Sequence, residues 1–260
     1  MDLKINNKNA LVCGSTQGIG KATAIALANE GANITLVARN EEKLKAVLKE
    51  LPQHGKHSYI VADFNKPQKL QEQLVTFIKN NHGFHILVNN TGGPKSGDIL
   101  NAGLDEFEKG FTMHLKCNHV LAQACIPFMK EEGFGRIINI ISTSVKEPIP
   151  GLGVSNTIRG AVGNWSKTLA QEVAPFGITV NNVLPGFTET ERLYEIIKIK
   201  ANNEGSSIED MTDIMKNYTP AKRFAKPQET ACAVAFLASK GAAYINGINV
   251  PVDGGRTKSL

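Results

Sequence analysis

The chain has 260 residues, 42% hydrophobic and 20% charged, with a formal net charge of +5, which suits the core of one large α/β domain and excludes a disordered or fibrous chain. Its scattered lysines leave room for an anionic small molecule but make no nucleic-acid footprint. No apolar run reaches the ~18 residues of a membrane span, and the start Met1-Asp-Leu-Lys-Ile-Asn-Asn7 lacks the apolar stretch of a signal peptide, so a cytoplasmic protein is expected.

In chain order, Lys8-Asn-Ala-Leu-Val-Cys13 reads as a short buried strand, and Lys21-Ala-Thr-Ala-Ile-Ala-Leu-Ala-Asn-Glu30 as a helix rich in good formers. Between them lie Gly14, Gly18 and Gly20. A strand, a glycine turn and a helix N-terminus make a phosphate site, because the backbone approaches the anion closely and the free N–H groups point at it. The spacing is Gly-x-x-x-Gly-x-Gly, so the Gly-x-Gly-x-x-Gly dinucleotide fingerprint is not literally met. A tight strand-to-helix turn with no ligand is the plain alternative.

Further β-branched runs follow at Asn33–Ala38, His57–Ala62, Phe84–Asn89, Arg136–Ile141, Gly177–Val183 and Gly247–Pro251. Helical segments separate them near 41–50, 67–80, 105–131, 155–175 and 227–239. Near-continuous apolar strands alternating with helices predict a parallel sheet covered on both faces. No repeat, low-complexity tract or linker splits the chain, so residues 1–260 are expected as one domain. The polar, lysine-bearing stretch 186–220 is irregular, and a lid is expected near 187–220. Cys13, Cys117, Cys125 and Cys232 form no Cys-x-x-Cys pair and read as buried thiols; no metal site is expected.

Six segments together resemble the short-chain dehydrogenase/reductase family: Cys13-Gly-Ser-Thr-Gln-Gly-Ile-Gly20, Ala62-Asp63, Leu87-Val-Asn-Asn-Thr-Gly92, Gly135-Arg-Ile-Ile-Asn-Ile-Ile-Ser142, Val180-Asn-Asn-Val-Leu-Pro-Gly186 and Val252-Asp-Gly-Gly255. They run in order over nearly the whole chain. The resemblance implies a single-domain Rossmann fold, a doubly wound parallel sheet of about seven strands with helices on both faces. It implies a nicotinamide dinucleotide cofactor and a small-molecule carbonyl or alcohol substrate. It also implies a homodimer or homotetramer built through the helices near 105–131 and 155–175.

Carried over residue by residue, Gly14, Ser15, Thr16, Gln17, Gly18, Ile19 and Gly20 would cradle the pyrophosphate. Asp63 and Phe64 would meet the adenine, while Asn90, Thr91 and Gly92, standing for Asn-Ala-Gly, would line the adenosine ribose. Pro185, Gly186, Thr188 and Thr190 would meet the nicotinamide carboxamide. Both Asp63 and Asn90 fall at carboxyl ends of strands, where such sheets place ligands. At the end of the second strand, Ala38 offers no acid to a ribose 2′-hydroxyl, whereas Arg39, beside Asn40, offers a planar cation to a 2′-phosphate. NADP(H) is therefore expected over NAD(H).

The catalytic pattern of the family is a Ser, a Tyr-x-x-x-Lys pair and an Asn. Ser142 matches the Ser. Thirteen residues on stands Ser155 for the Tyr, then Arg159 for the Lys, and His114 takes the place of the Asn. An aliphatic hydroxyl is a far weaker acid than a phenol, and an Arg does not give up a proton, so Ser155 and Arg159 cannot repeat the family's proton relay. His114 alone among these titrates near neutrality. Tyr59, Tyr194, Tyr218 and Tyr244 stand elsewhere, two of them in the expected lid.

Two readings follow. One is an atypical NADP(H)-dependent reductase in which Ser142 and Ser155 donate to the substrate oxygen, Arg159 stabilises its charge, and the proton comes from His114, water or a lid tyrosine. The other is a catalytically inactive relative that binds NADP as a sensor or partner subunit. Ser155 also reads as a helix N-cap. Lys95 and Lys146 flank the expected cleft and would suit an anionic substrate, while Phe176 stands where 3-oxoacyl reductases often carry Arg.

Overall fold

A computed structural model describes residues 2–259. Seven parallel strands form one sheet in the order β3-β2-β1-β4-β5-β6-β7. They are β1 (Asn9–Cys13), β2 (Asn33–Ala38), β3 (Ser58–Val61), β4 (Ile86–Asn89), β5 (Gly135–Ile140), β6 (Ile178–Pro185) and β7 (Asn249–Val252). The strand order reverses between β1 and β4, and the crevice at that switch point is where an open sheet of this kind receives ligands.

Alternation within each strand sorts side chains to two cores. Ala10 and Val12 join Ile86 and Val88 under α1 (Gly18–Asn29), α2 (Glu41–Glu50) and α9 (Pro227–Ala238). Leu11, Cys13 and Leu87 face α3 (Pro67–Asn80), α5 (Cys117–Glu131) and α6 (Gly153–Val173). Being buried on both faces, these strands are predominantly apolar, as the sequence indicated. The doubly wound architecture is as expected.

A polar line crosses the second face. The register sets Asn89 opposite Asn139, Asn139 opposite Asn182 and Asn182 opposite Asn249. Asn89 Nδ2 donates to Asn139 Oδ1 at 2.8 Å, Asn139 Nδ2 to Asn182 Oδ1 at 3.0 Å, and Asn182 Nδ2 to Asn249 Oδ1 at 2.8 Å. Asn139 Nδ2 also reaches Ser166 Oγ on α6, so the ladder ties the ends of β4, β5 and β6 to that helix.

The segment after β6 departs from expectation. It is not irregular: α7 (Glu191–Glu204) and α8 (Ile208–Asn217) fold over a core of their own, with Leu193, Ile197, Ala201, Met211, Met215 and Phe224 buried. Thr190 caps α7 and Ser207 caps α8, each side chain accepting a backbone N–H of the first turn. Three of the four thiols are buried as expected, but Cys232 on α9 is exposed. Among the described residues no helix is long and apolar enough to cross a membrane.

Candidate active site

The crevice at the switch point is a cavity of about 410 Å³ floored by Gly14, Thr16, Gln17, Asn90, Thr91 and Gly92. Gly14 has φ +58°, and a Cβ there would lie 2.5 Å from the Asn90 carbonyl oxygen. A Cβ on Gly20 would collide with the Gly14 carbonyl. The turn thus needs bare backbone at both places. Asn90 Nδ2 clamps it, donating to the Cys13 and Gly14 carbonyls at 3.3 Å each.

Not every residue of the glycine turn faces the crevice. The Ser15 hydroxyl is fully buried and accepts the Val37 N–H at 3.1 Å, so it joins the turn to β2 instead of meeting a ligand. Ile19 packs into the core beneath. Thr190 approaches the turn from the other side, its Cγ2 3.0 Å from where a Cβ on Gly18 would lie. Pro185, Gly186, Thr188 and Thr190 therefore stand at the carboxyl end of β6, beside the crevice rather than in its floor.

Arg39, Asn40, Asp63 and Phe64 line the outer half, together with Lys43 and Met113, which the sequence reading passed over. Asn40 caps α2 by accepting the Lys43 N–H at 2.9 Å, which sets Lys43 one turn beyond Arg39 on the same rim. An Arg-Asn-x-x-Lys spacing at a strand end was the available signal. Asp63 accepts from Asn65 N and Nδ2 at 3.0 and 2.9 Å, and these bonds hold its carboxyl below the usual range.

Ser142 lies two residues beyond β5, outside the lining of that cavity, and caps a short 3₁₀ turn, Thr143–Val145. Its Oγ accepts the Ser144 N–H at 3.1 Å, leaving the hydroxyl proton to donate elsewhere. Ser155 is half-buried in the first turn of α6, whose N-cap is Leu152, so Ser155 is not the cap. Arg159 lies one turn further along α6. It is 8% exposed, donates from Nη1 to the Ile140 carbonyl at 2.9 Å, and its Nε is buried with no partner. Burial pulls the guanidinium down to about 10, so it remains a cation at neutral pH.

His114 sits on a π-helical turn, Phe111–Lys116, between α4 (Leu104–Gly110) and α5. The extra residue in that turn rotates the ring inward, to 2% exposure. Its Nδ1 and the Thr91 hydroxyl share a 2.6 Å hydrogen bond, and the Gly92 backbone bonds to the same ring. Burial first and the Arg159 charge second hold the imidazole well below its ordinary value. Among the described residues no three His, Cys, Asp or Glu side chains converge on a metal position.

The rim is closed by neighbouring loops. Gly97 N donates to the Gly151 carbonyl and Gly153 N to the Gly97 carbonyl, zipping the loops after β4 and β5 together. Arg192 of α7 reaches across and donates to the Pro94 carbonyl at 2.9 Å.

A doubly wound parallel sheet with a glycine-floored crevice at its switch point defines a dinucleotide-binding oxidoreductase fold. A family model described as Enoyl-(Acyl carrier protein) reductase matches residues 14–257. The NADPH-dependent reductase BacG of Bacillus subtilis is 30% identical over 98% of this chain and all of its own. The 3-oxoacyl-[acyl-carrier-protein] reductase FabG of Staphylococcus epidermidis is 32% identical over 96% of this chain and 98% of its own. Among solved structures, L-sorbose reductase from Gluconobacter frateurii, complexed with NADPH and L-sorbose, superposes with a TM-score of 0.94 at 31% identity over all of both chains. The chain belongs to the short-chain dehydrogenase/reductase family.

Proposed function

We propose that the protein is an NADP(H)-dependent oxidoreductase that reduces the carbonyl of a small molecule through a Ser142/Ser155/Arg159 site. The observation that carries this reading is Arg159: a buried cation, anchored through Nη1 on the Ile140 carbonyl two residues before Ser142, with Nε left without a partner. A decayed site gains nothing from burying an unopposed guanidinium, whose desolvation costs several kcal/mol. A site that meets a developing oxyanion does.

The glycine cradle and the clamped Asn90 fit the diphosphate of a dinucleotide, and Arg39 with Lys43 fits a 2′-phosphate. When bound, the nicotinamide would supply the hydride. Ser142 and Ser155 would orient the substrate oxygen by donating to it, Arg159 would hold the charge that develops there, and the α7–α8 lid would exclude water. The relatives named above that use NADPH support the cofactor choice. Exposed Leu104 and Phe111 support assembly through the helices near 105–131 and 155–175, which light scattering would test.

The test is NADPH oxidation against a panel of ketones, keto acids and α,β-unsaturated ketones. The last belong there because of the family model's description, and because hydride addition at the β-carbon leaves an enolate, which needs a cation more than an acid. Ser142→Ala should lower the rate by about 10²–10³, the usual loss for one oxyanion donor. A parent protein that binds NADPH and reduces nothing, while Ser155→Tyr with Arg159→Lys gains activity, would overturn the enzyme reading in favour of an inactive NADP-binding relative.

A further inference from the structure

Three departures from the family pattern meet at one place. Thr91 stands for Ala, His114 for Asn and Arg159 for Lys, and they come from the β4 loop, the π-helical turn and α6. The 2.6 Å bond joins the first two. Arg159 is near enough for its charge to act on the imidazole, and its Nη2 lies 3.6 Å from where a Cβ on Gly93 would be. An alanine at 91 would have nothing to offer the ring, so the Thr and the His are useful only together.

We propose that His114 is a positioning residue, not a proton donor: its neutral ring braces the Thr91–Gly92 floor of the ribose site and leaves Arg159 as the one charge at the reacting oxygen. The assignment rests on the cofactor-binding part of the function proposed above. Geometry carries it in three ways. The ring is 98% withdrawn from solvent and engaged by both Thr91 and the Gly92 backbone. A second positive charge would have to form beside a buried guanidinium that no carboxylate opposes. And Nδ1, 2.6 Å from the Thr91 hydroxyl, is already committed to the floor of the ribose site.

The bond is tested by NADPH titration of the parent, Thr91→Val, His114→Asn and the double variant. Thr91→Val keeps the shape of the side chain and the imidazole, so it reads the hydroxyl alone even if His114→Asn folds poorly. Each single change should weaken NADPH by about fivefold, the worth of one such bond, and the double change should cost little more than either alone. His114→Gln, which keeps hydrogen-bonding capacity, should recover part of the loss. Nitrogen NMR of the histidines should show the His114 ring still neutral where an ordinary histidine has begun to take up its proton. Additive losses, or a His114 that titrates near its ordinary value with a matching limb in kcat/KM that His114→Asn removes, would overturn the proposal. Coupled losses and a neutral ring in a protein that reduces no substrate would support it and overturn the reductase reading instead.

Discussion

Replacing Arg39 by Ala gives the sharpest check on cofactor choice. Arg39 and Lys43 are both exposed on the rim of the crevice, and no acid stands at Ala38 to compete for them. Two unit charges ~4 Å apart are worth about 1 kcal/mol in water and about 4 near a protein surface. Because these side chains are flexible and solvated, the lower part of that range applies, about 1–2 kcal/mol for the Arg39 contact. NADPH binding should therefore weaken by about 5–30-fold in Arg39→Ala, and NADH binding should hardly change. Lys43→Ala should act in the same direction by a smaller factor, since a single ammonium lacks the planar fork of Arg. Raising the salt from about 0.05 to 0.5 M should erode the NADPH preference of the parent and leave that of a variant carrying both Arg39→Ala and Lys43→Ala flat. Fluorescence titration or calorimetry with both dinucleotides reads all of this. Equal parent affinities for NADPH and NADH, or equal losses for both in Arg39→Ala, would refute the assignment of a 2′-phosphate to this rim.

Asn139→Ala would strand Asn89 Nδ2 and Asn182 Oδ1 in a buried layer, and urea unfolding should show a loss of about 2–4 kcal/mol; a loss under about 0.5 would mean the ladder is not needed. Arg192→Ala removes the contact between α7 and Pro94, so hydrogen exchange should quicken in α7 and α8 with the sheet unaffected, and NADPH should slow it again; unchanged exchange would dismiss the latch. His85 and His114 are both held below their ordinary values, mainly by burial, so the unfolded chain binds more protons than the native one once the pH drops below about 6.5. Their contribution is complete above that point and is lost as pH falls, so Tm should drop between about pH 7.5 and 5.5, by about 2–4 °C for each kcal/mol; a constant Tm would show that neither ring is buried neutral.

The sequence alone determined the sheet and the glycine turn, for a local reason. Short apolar runs, a glycine turn and helix-forming stretches each carry their instruction within a dozen residues, and the alternation of strand and helix leaves little choice of topology. Ser142, Ser155 and Arg159 were singled out only through the motif spacing that the family resemblance supplies. The segment 187–220 was marked as an expected lid, but its two helices were not legible, because Leu193, Ile197 and Ala201 are a sparse stripe among polar residues and close a core only with Met211 and Met215 from the next helix. Lys43 looked like any solvated helix lysine until the Asn40 cap set it on the crevice rim. The role of His114 belongs wholly to tertiary structure. As a residue type it titrates near neutrality, and it is the depth of burial first and the Arg159 charge from another helix second that hold it neutral, while the Thr91 hydroxyl 23 positions earlier in the chain fixes the ring. Ionisation energies answer to everything within several ångströms, and those neighbours are gathered by the fold, not by the chain.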